Sequence, residues 1–139
     1  MKKSKRRKKS NSWRIKHHRD QFFKKSKTLG FRSRAAFKLI ELNKKFNFIK
    51  KNTNLLDIGA SPGGWSQVSR KIITTGKVMS LDLVDMEKIE NVVFYRGNFL
   101  EQKTKNKIMS FFDKNIDVMT CWASGCGSGN ESTVRVTIE

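Results

Sequence analysis

Apolar and polar residues alternate along this chain in blocks that predict four short, buried strands. Branched and aromatic side chains dominate each block, and polar or glycine-rich stretches bound it. The predicted strands are 53–58, 77–83, 92–98 and 116–120, with helices at about 65–74 and 101–113. Because strands that alternate with helices pair in parallel through crossover connections, the pattern predicts an α/β domain of Rossmann-like architecture.

The segment SRAAFKLIELNKKF, residues 33–46, has the spacing of one more helix. Seven apolar positions give it a broad apolar face, and Ser33 is placed to cap its first turn. Lys38 lies on the less apolar side of this helix. Taken alone, such a lysine is most simply a charge that faces solvent.

The stretch LLDIGASPGGW, residues 55–65, predicts a small-molecule site. Asp57 lies at the end of the first predicted strand, and the chain then turns through Gly59, Gly63 and Gly64. Glycine permits positive φ and lets a ligand approach the backbone closely, while Pro62 fixes its own φ. Ligands of such sheets bind at the carboxyl ends of the strands, so we expect the site there.

Asp82 closes the second predicted strand, at the position where an acidic side chain can accept hydrogen bonds from both hydroxyls of a ribose. The loop after the first strand does not read G-x-G-x-x-G, and the chain has no G-x-x-x-x-G-K-[ST] motif. The sequence therefore favours a nucleoside ligand over a dinucleotide or ATP.

The net charge of +18 is confined to the first third of the chain. Residues 1–51 contain 20 Lys and Arg against two acidic residues, whereas the rest contains ten of each. Residues 1–30 are predicted to form a disordered basic arm, whose cations and interleaved aromatic side chains are typical of RNA binding. A tail that aids solubility or attracts an anionic membrane is the simpler alternative. The predicted RNA contacts are Lys5, Arg6, Arg7, Arg14, Arg32 and Arg34.

Other patterns bear on location and redox state. No stretch approaches the roughly 18 consecutive apolar residues that span a bilayer, and no apolar run follows the basic start, so a cytoplasmic protein is expected. Cys121 and Cys126 lie near the end without a His or a second Cys pair, which predicts free thiols and no metal site.

Three segments together resemble the FtsJ/RrmJ family of bacterial 23S ribosomal RNA (uridine-2'-O-)-methyltransferases: SRAAFKLIELNKKF, LLDIGASPGGWSQV and VMSLDLVDM. The similarity runs from about Arg32 to Thr120. It implies a methyltransferase fold with S-adenosylmethionine as cofactor. It also implies a ribose of ribosomal RNA in the large subunit as methyl acceptor, and a monomeric protein.

The resemblance assigns cofactor contacts to particular positions. Gly63 and Trp65 match family cofactor contacts, and Asp82 matches the acidic residue near the cofactor ribose. Asn98 stands where the family usually has an aspartate near the adenine, so one charge is missing there. The predicted cofactor-binding set is Asp57, Gly59, Gly63, Gly64, Trp65, Asp82, Asn98 and Cys121.

The family is described as using a Lys-Asp-Lys-Glu set around the target hydroxyl. Lys38 matches the first lysine, either as a base or as a charge that orients the ribose. Cys121 stands where the family aspartate ends the fourth strand, and a neutral thiol cannot pair with a cationic lysine. The second lysine and the glutamate have no counterpart.

The sequence thus divides into a basic arm (1–30), the first part of a methyltransferase domain (31–120) and an atypical tail rich in Gly and Ser (121–139). We expect a C-terminally truncated, frameshifted or fragmentary member of the family, whose tail is not a natural continuation. Three functions follow: a ribosomal RNA methyltransferase, a non-catalytic RNA-binding protein, and an unstable fragment.

Overall fold

A computed structural model describes residues 11–121 and 133–135 of the chain. Two helices come first, and an α/β unit follows them. The helices are α1 (Asn11–Thr28), α2 (Ala35–Phe46), α3 (Gly64–Ile72) and α4 (Gln102–Phe111). The strands are β1 (Leu55–Ile58), β2 (Val78–Asp82), β3 (Val93–Arg96), β4 (Val118–Cys121) and β5 (Thr133–Arg135). The four predicted strands and three predicted helices are all present, with ends that differ by a few residues.

The strands form one sheet in the order β3-β2-β1-β4-β5. The first four are parallel, and β5 runs antiparallel to β4. From β1 the chain passes to β2 on one side and later returns to β4 on the other, so β1 and β4 flank the point where the strand order reverses. Ligands bind at such a point in sheets of this kind.

Side chains alternate between the two faces of the sheet and build one core on each. Leu55, Val78 and Val118 pack with α2 and α3 on one face. Leu56 and Met79 lie on the other face, with Ile108 and Phe112 of the α4 region. Both faces of the central strands are thus buried, which explains why their apolar runs are nearly continuous.

The structure corrects the prediction of a wholly disordered arm. Residues 11–28 form α1, and Phe22 packs near Phe37 of α2 with ring centroids 5.8 Å apart. Lys, Arg and Gln are good helix formers, so a charge-rich segment becomes helical once its aromatic side chains have an apolar surface to contact. Residues 1–10 lie outside the described part of the chain.

Two further expectations need correction. Ser33 does not cap α2, because Arg34 occupies the cap position without a side-chain cap bond and only the Ser33 carbonyl accepts, from the Ala36 N–H at 3.3 Å. The tail beyond Cys121 contributes β5, which apolar periodicity did not predict because only three residues pair. Among the helices described, none is long and apolar enough to cross a membrane.

Candidate functional site

A buried polar layer lies beneath the carboxyl end of the sheet. The strand face that packs on α3 carries Leu55, Val78 and Val118 at its start, and two residues later Asp57, Ser80 and Thr120. The register sets Asp57 directly between Ser80 and Thr120 on the neighbouring strands. All three polar residues are fully buried.

Hydroxyl groups satisfy the Asp57 carboxylate in this layer. Ser66 of α3 donates to Oδ2 at 2.5 Å and Thr120 donates to Oδ1 at 3.0 Å. Ser66 and Ser80 share a further hydrogen bond of 2.6 Å. These hydrogen bonds connect β1, β2 and β4 with α3. They also supply the partners that a carboxylate needs when it is buried away from water.

Burial raises the pKa of Asp57 from its ordinary 3.8 to about 6. Desolvation of the charged form is the main cause, and the nearby Asp82 charge adds to it, whereas the bonds from Ser66 and Thr120 oppose it. The side chain therefore titrates close to neutral pH.

The glycine loop, residues 59–64, turns the chain from β1 into α3. Gly59 and Gly63 have φ of 73° and 110°, values that favour glycine, and the Ser61–Pro62 peptide bond is cis. A Cβ on Gly63 would lie 2.9 Å from Met86 Sδ and 3.0 Å from Ile89 Cδ1. The φ of 110° favours glycine at residue 63, and a side chain there would also displace Met86 and Ile89 of the segment after β2.

Asp82 ties the glycine loop to the end of β2. Its Oδ2 accepts the Ser61 N–H at 2.9 Å, and its Oδ1 accepts the Val84 N–H at 3.1 Å. The residue is partly exposed. A carboxylate has about four acceptor positions, so two remain for a ligand.

The start of α2 is fastened to the glycine loop. The Trp65 Nε1–H donates to the Ala35 carbonyl at 2.7 Å, and a Cβ on Gly64 would overlap Ser33 Oγ. Trp65 is almost fully buried, and its indole both lines the site and holds the start of α2 in place. A pocket of about 140 Å³ lies at this junction. It is lined by Ser33, Arg34, Ala35, Asp57, Gly59, Ala60, Ser61, Pro62, Gly64 and Trp65.

Lys38 is exposed on α2, one helical turn beyond the pocket-lining Arg34. Lys38 itself is not among the residues that line the pocket. The predicted lysine thus lies on the helix whose start is fastened to the predicted cofactor loop.

The predicted RNA contacts fall into different settings. Arg34 is exposed, whereas the Arg32 guanidinium donates to backbone carbonyls within the chain. Arg14 lies in α1, but its side chain is not described. Lys5, Arg6 and Arg7 precede the described residues.

Asn98 and Cys121 both lie near strand ends. The Asn98 Oδ1 accepts the Leu100 N–H at 3.0 Å, so the amide shapes the turn before α4. Cys121 pairs in register with Ile58 and is disulfide-bonded, which corrects the prediction of a free thiol. Its partner lies outside the described residues. In the part of the chain that the structure describes, no three His, Cys, Asp or Glu side chains are grouped to hold a metal ion.

Sequence reasoning missed Ser66, Ser80 and Thr120. Two of them interrupt otherwise apolar strands, VMSLD and VMTC, two residues after a buried valine. That spacing is the signal: a polar residue on a buried strand face needs a partner, and Asp57 occupies the equivalent position of β1.

Comparison with known proteins places the chain in a family. The model of the FtsJ-like methyltransferases matches residues 31–136, and the chain belongs to this family. The match extends to residue 136, so the similarity continues beyond Thr120, its predicted end.

Curated relatives include two named "Ribosomal RNA large subunit methyltransferase E". The protein from Pelagibacter ubique is 38% identical over 110 residues, which cover 79% of this chain and 54% of the relative. The protein from Hahella chejuensis is 42% identical over 104 residues, 74% of this chain and 50% of the relative. The chain spans about half the length of these relatives.

A solved structure from Plasmodium falciparum, described as a ribosomal RNA methyltransferase, has a similar fold. It superposes with a TM-score of 0.60 at 36% identity. The match covers 72% of this chain and 60% of the other. Together with the family match, this likeness confirms the predicted α/β methyltransferase fold with four parallel strands.

Proposed function

We propose that this chain binds S-adenosylmethionine beside the glycine loop and methylates a ribose 2'-hydroxyl of ribosomal RNA. One observation carries the proposal: Trp65 and Gly64 fasten the glycine loop to the start of α2, the helix on which Lys38 lies. The names of the curated relatives agree with this substrate class.

The residues present fit the cofactor. Gly59, Ala60, Ser61 and Pro62 of the glycine loop line the pocket, so a ligand there would lie against the loop. Asp82 keeps two acceptor positions for ribose hydroxyls after its bonds to Ser61 and Val84. Bound there, S-adenosylmethionine would supply an electrophilic methyl group for transfer to a ribose oxygen.

The protein's own contribution is position and proton transfer. Holding acceptor and donor in line can lower the barrier by about 7 to 11 kcal/mol, and a general base adds a factor of about 10² to 10⁴. Lys38 either takes the 2'-hydroxyl proton as a neutral amine or stays charged and orients the ribose. A pH–rate profile separates these roles, since only the base requires deprotonation.

The basic surface of α1 supports RNA as the partner. Lys16, Lys24, Lys25 and Lys27 are exposed along this helix. These four cations outnumber the exposed Asp20 of the same helix, and such an excess attracts a phosphate backbone. A purely RNA-binding role, without catalysis, is the second candidate, and this same surface favours it.

The test is transfer of labelled methyl from S-adenosylmethionine to ribosomal RNA, followed by mapping of the modified ribose. We expect transfer by the 139-residue chain and a loss of about 10²-fold or more in Lys38→Met. Lys105→Met is the matched control, an exposed lysine in the middle of α4, and should keep its activity. Tight RNA binding without any transfer by the unmodified chain would contradict catalysis and favour the second candidate.

A further inference from the structure

Arg32 lies between α1 and α2, and its side chain connects two loops of the candidate site. Its guanidinium donates to the Glu87 carbonyl at 2.5 Å, the Lys88 carbonyl at 2.8 Å and the Pro62 carbonyl at 3.4 Å. Pro62 belongs to the glycine loop, and residues 87 and 88 belong to the segment that follows β2. One planar group thus holds both segments in a fixed relation.

The backbone of Arg32 is held as well. Its N–H donates to Gln67 Oε1 at 3.1 Å, and Gln67 Nε2 donates to the Gly30 carbonyl at 2.9 Å. Gln67 lies on α3, directly after the glycine loop. The connection between α1 and α2 is therefore docked on the helix that begins at the cofactor loop.

Packing gives this contact a consequence for the pocket. A Cβ on Gly63 would lie 3.3 Å from Arg32 Cδ, beside Met86 and Ile89, so the arginine stem closes the same layer as those side chains. If the guanidinium were removed, residues 87 and 88 would lose their bonds to the side chain that also binds Pro62, and the bonds of Asp82 would be left to link the two segments. Asp82 bonds both Ser61 and Val84, so a shift of either segment reaches the predicted ribose contact.

We propose that Arg32 is a positioning residue that presets the cofactor site, rather than a contact to RNA. The proposal rests on the proposed function for its cofactor. Three of the five N–H donors of the guanidinium bind carbonyls 62, 87 and 88, whereas Arg34 is exposed and lines the pocket, which makes Arg34 the better candidate for a phosphate.

The test compares Arg32→Gln and Arg32→Lys with Arg70→Gln in the full chain. Arg70 is a matched control, because its guanidinium also donates to carbonyls, those of Thr74 and Gly76, but at the far end of α3. Hydrogen exchange of peptides covering 60–68 and 84–91, measured without any ligand, reports whether the two segments that Arg32 binds become less ordered. Titration calorimetry measures the Kd for S-adenosylhomocysteine at the pocket, and filter binding measures the affinity for ribosomal RNA.

We expect faster exchange in both peptides for both Arg32 variants, and a Kd for S-adenosylhomocysteine raised at least about fivefold, with RNA affinity changed less than about twofold. Lysine should not rescue, since a single ammonium cannot reproduce the planar fork. Where turnover is measurable, KM for the cofactor should rise while kcat at saturating cofactor and KM for RNA are retained. Arg70→Gln should change none of these.

Three outcomes would overturn the proposal. Unchanged exchange would mean that Arg32 does not hold the loops. Faster exchange with an unchanged Kd would mean that it does not preset the pocket. Rescue of RNA affinity by lysine, with an unchanged cofactor Kd, would make Arg32 a phosphate contact. Absence of cofactor binding by the unmodified chain would instead contradict the proposed function, and the exchange data would still decide whether the contact holds the loops.

Discussion

The helices before residue 52 and the sheet after it use their charged side chains differently. In the sheet unit, described cations meet carboxylates in three ion pairs: Lys77–Asp113, Arg96–Asp85 and Lys103–Glu101. Cation–π contacts occur in both parts: Lys25, Lys27 and Lys45 of α1 and α2 lie over Phe37, Phe23 and Phe46, and Lys77 and Lys107 lie over Phe111 and Tyr95. The sheet unit is balanced in charge within itself, whereas the excess of the helical part is suited to an anionic partner.

Glycine substitutions give the largest expected difference between the two regions. Gly30 and Gly63 both have positive φ, but a Cβ on Gly30 would meet nothing within 4 Å, whereas one on Gly63 would press on Met86 and Ile89. Gly63→Ala should lower the free energy of unfolding by about 2 to 3 kcal/mol, the sum of backbone strain and the shift of these flexible side chains. Gly30→Ala carries the strain alone, about 1 to 2 kcal/mol. Denaturant unfolding measures both, and equal losses would contradict the packing described for the glycine loop.

Asp57, the buried carboxylate of β1, predicts that the free energy of unfolding depends on pH. The native pKa of Asp57, about 6, lies above its ordinary 3.8. Between these values the native state holds a proton that the unfolded chain releases, so this group lowers the free energy of unfolding as pH rises from about 4 to about 6. Above that pH range the destabilisation is largest. At 1.36 kcal/mol for each unit of pKa, the shift from 3.8 to about 6 corresponds to at most about 3 kcal/mol.

Asp57→Asn tests this sign, because the amide cannot ionise. The difference in free energy of unfolding between the variant and the unmodified chain should move in favour of the variant as pH rises from about 4 to about 7. Measuring the difference cancels the other titrating groups. A difference that moves toward the unmodified chain would show that the bonds from Ser66 and Thr120 outweigh desolvation.

Neutralising lysines should have the smallest effect and act only on RNA. Replacing exposed Lys16 and Lys24 of α1 by Gln should weaken RNA binding and reduce the slope of log affinity against log salt by roughly 0.7 to 0.9 for each lost phosphate contact. Lys103 and Lys105 of α4 provide the matched control and should leave the slope unchanged. Equal effects of both pairs would mean that RNA recognises total charge, not the helical part.

Sequence reasoning predicted the strands, because β1, β2 and β4 have buried faces that demand apolar residues. It located Asp57, Asp82 and the glycine loop because strand ends and glycines leave local signals. Contacts between distant segments, such as those of Arg32 with Glu87 and Lys88, leave no local pattern, so the sequence alone does not predict them.

Helix α1 is a segment for which the sequence predicted too little structure. Its charge density predicted disorder, since like charges repel, but that argument considers the segment alone. Phe22 contacts Phe37, and the fully buried Ser26 donates to the Phe23 carbonyl, so tertiary packing stabilises what the isolated sequence would not.

The contact between Gly64 and Ser33 also constrains how this protein can change over generations. A side chain at 64 would overlap Ser33 Oγ, so any larger residue there requires a smaller one at 33 first. Positions 33 and 64 lie in different segments, yet they share a single small volume. Residue 33 can become alanine or glycine while Gly64 is kept, but a lineage that enlarges residue 64 must first lose or redirect the hydroxyl at residue 33.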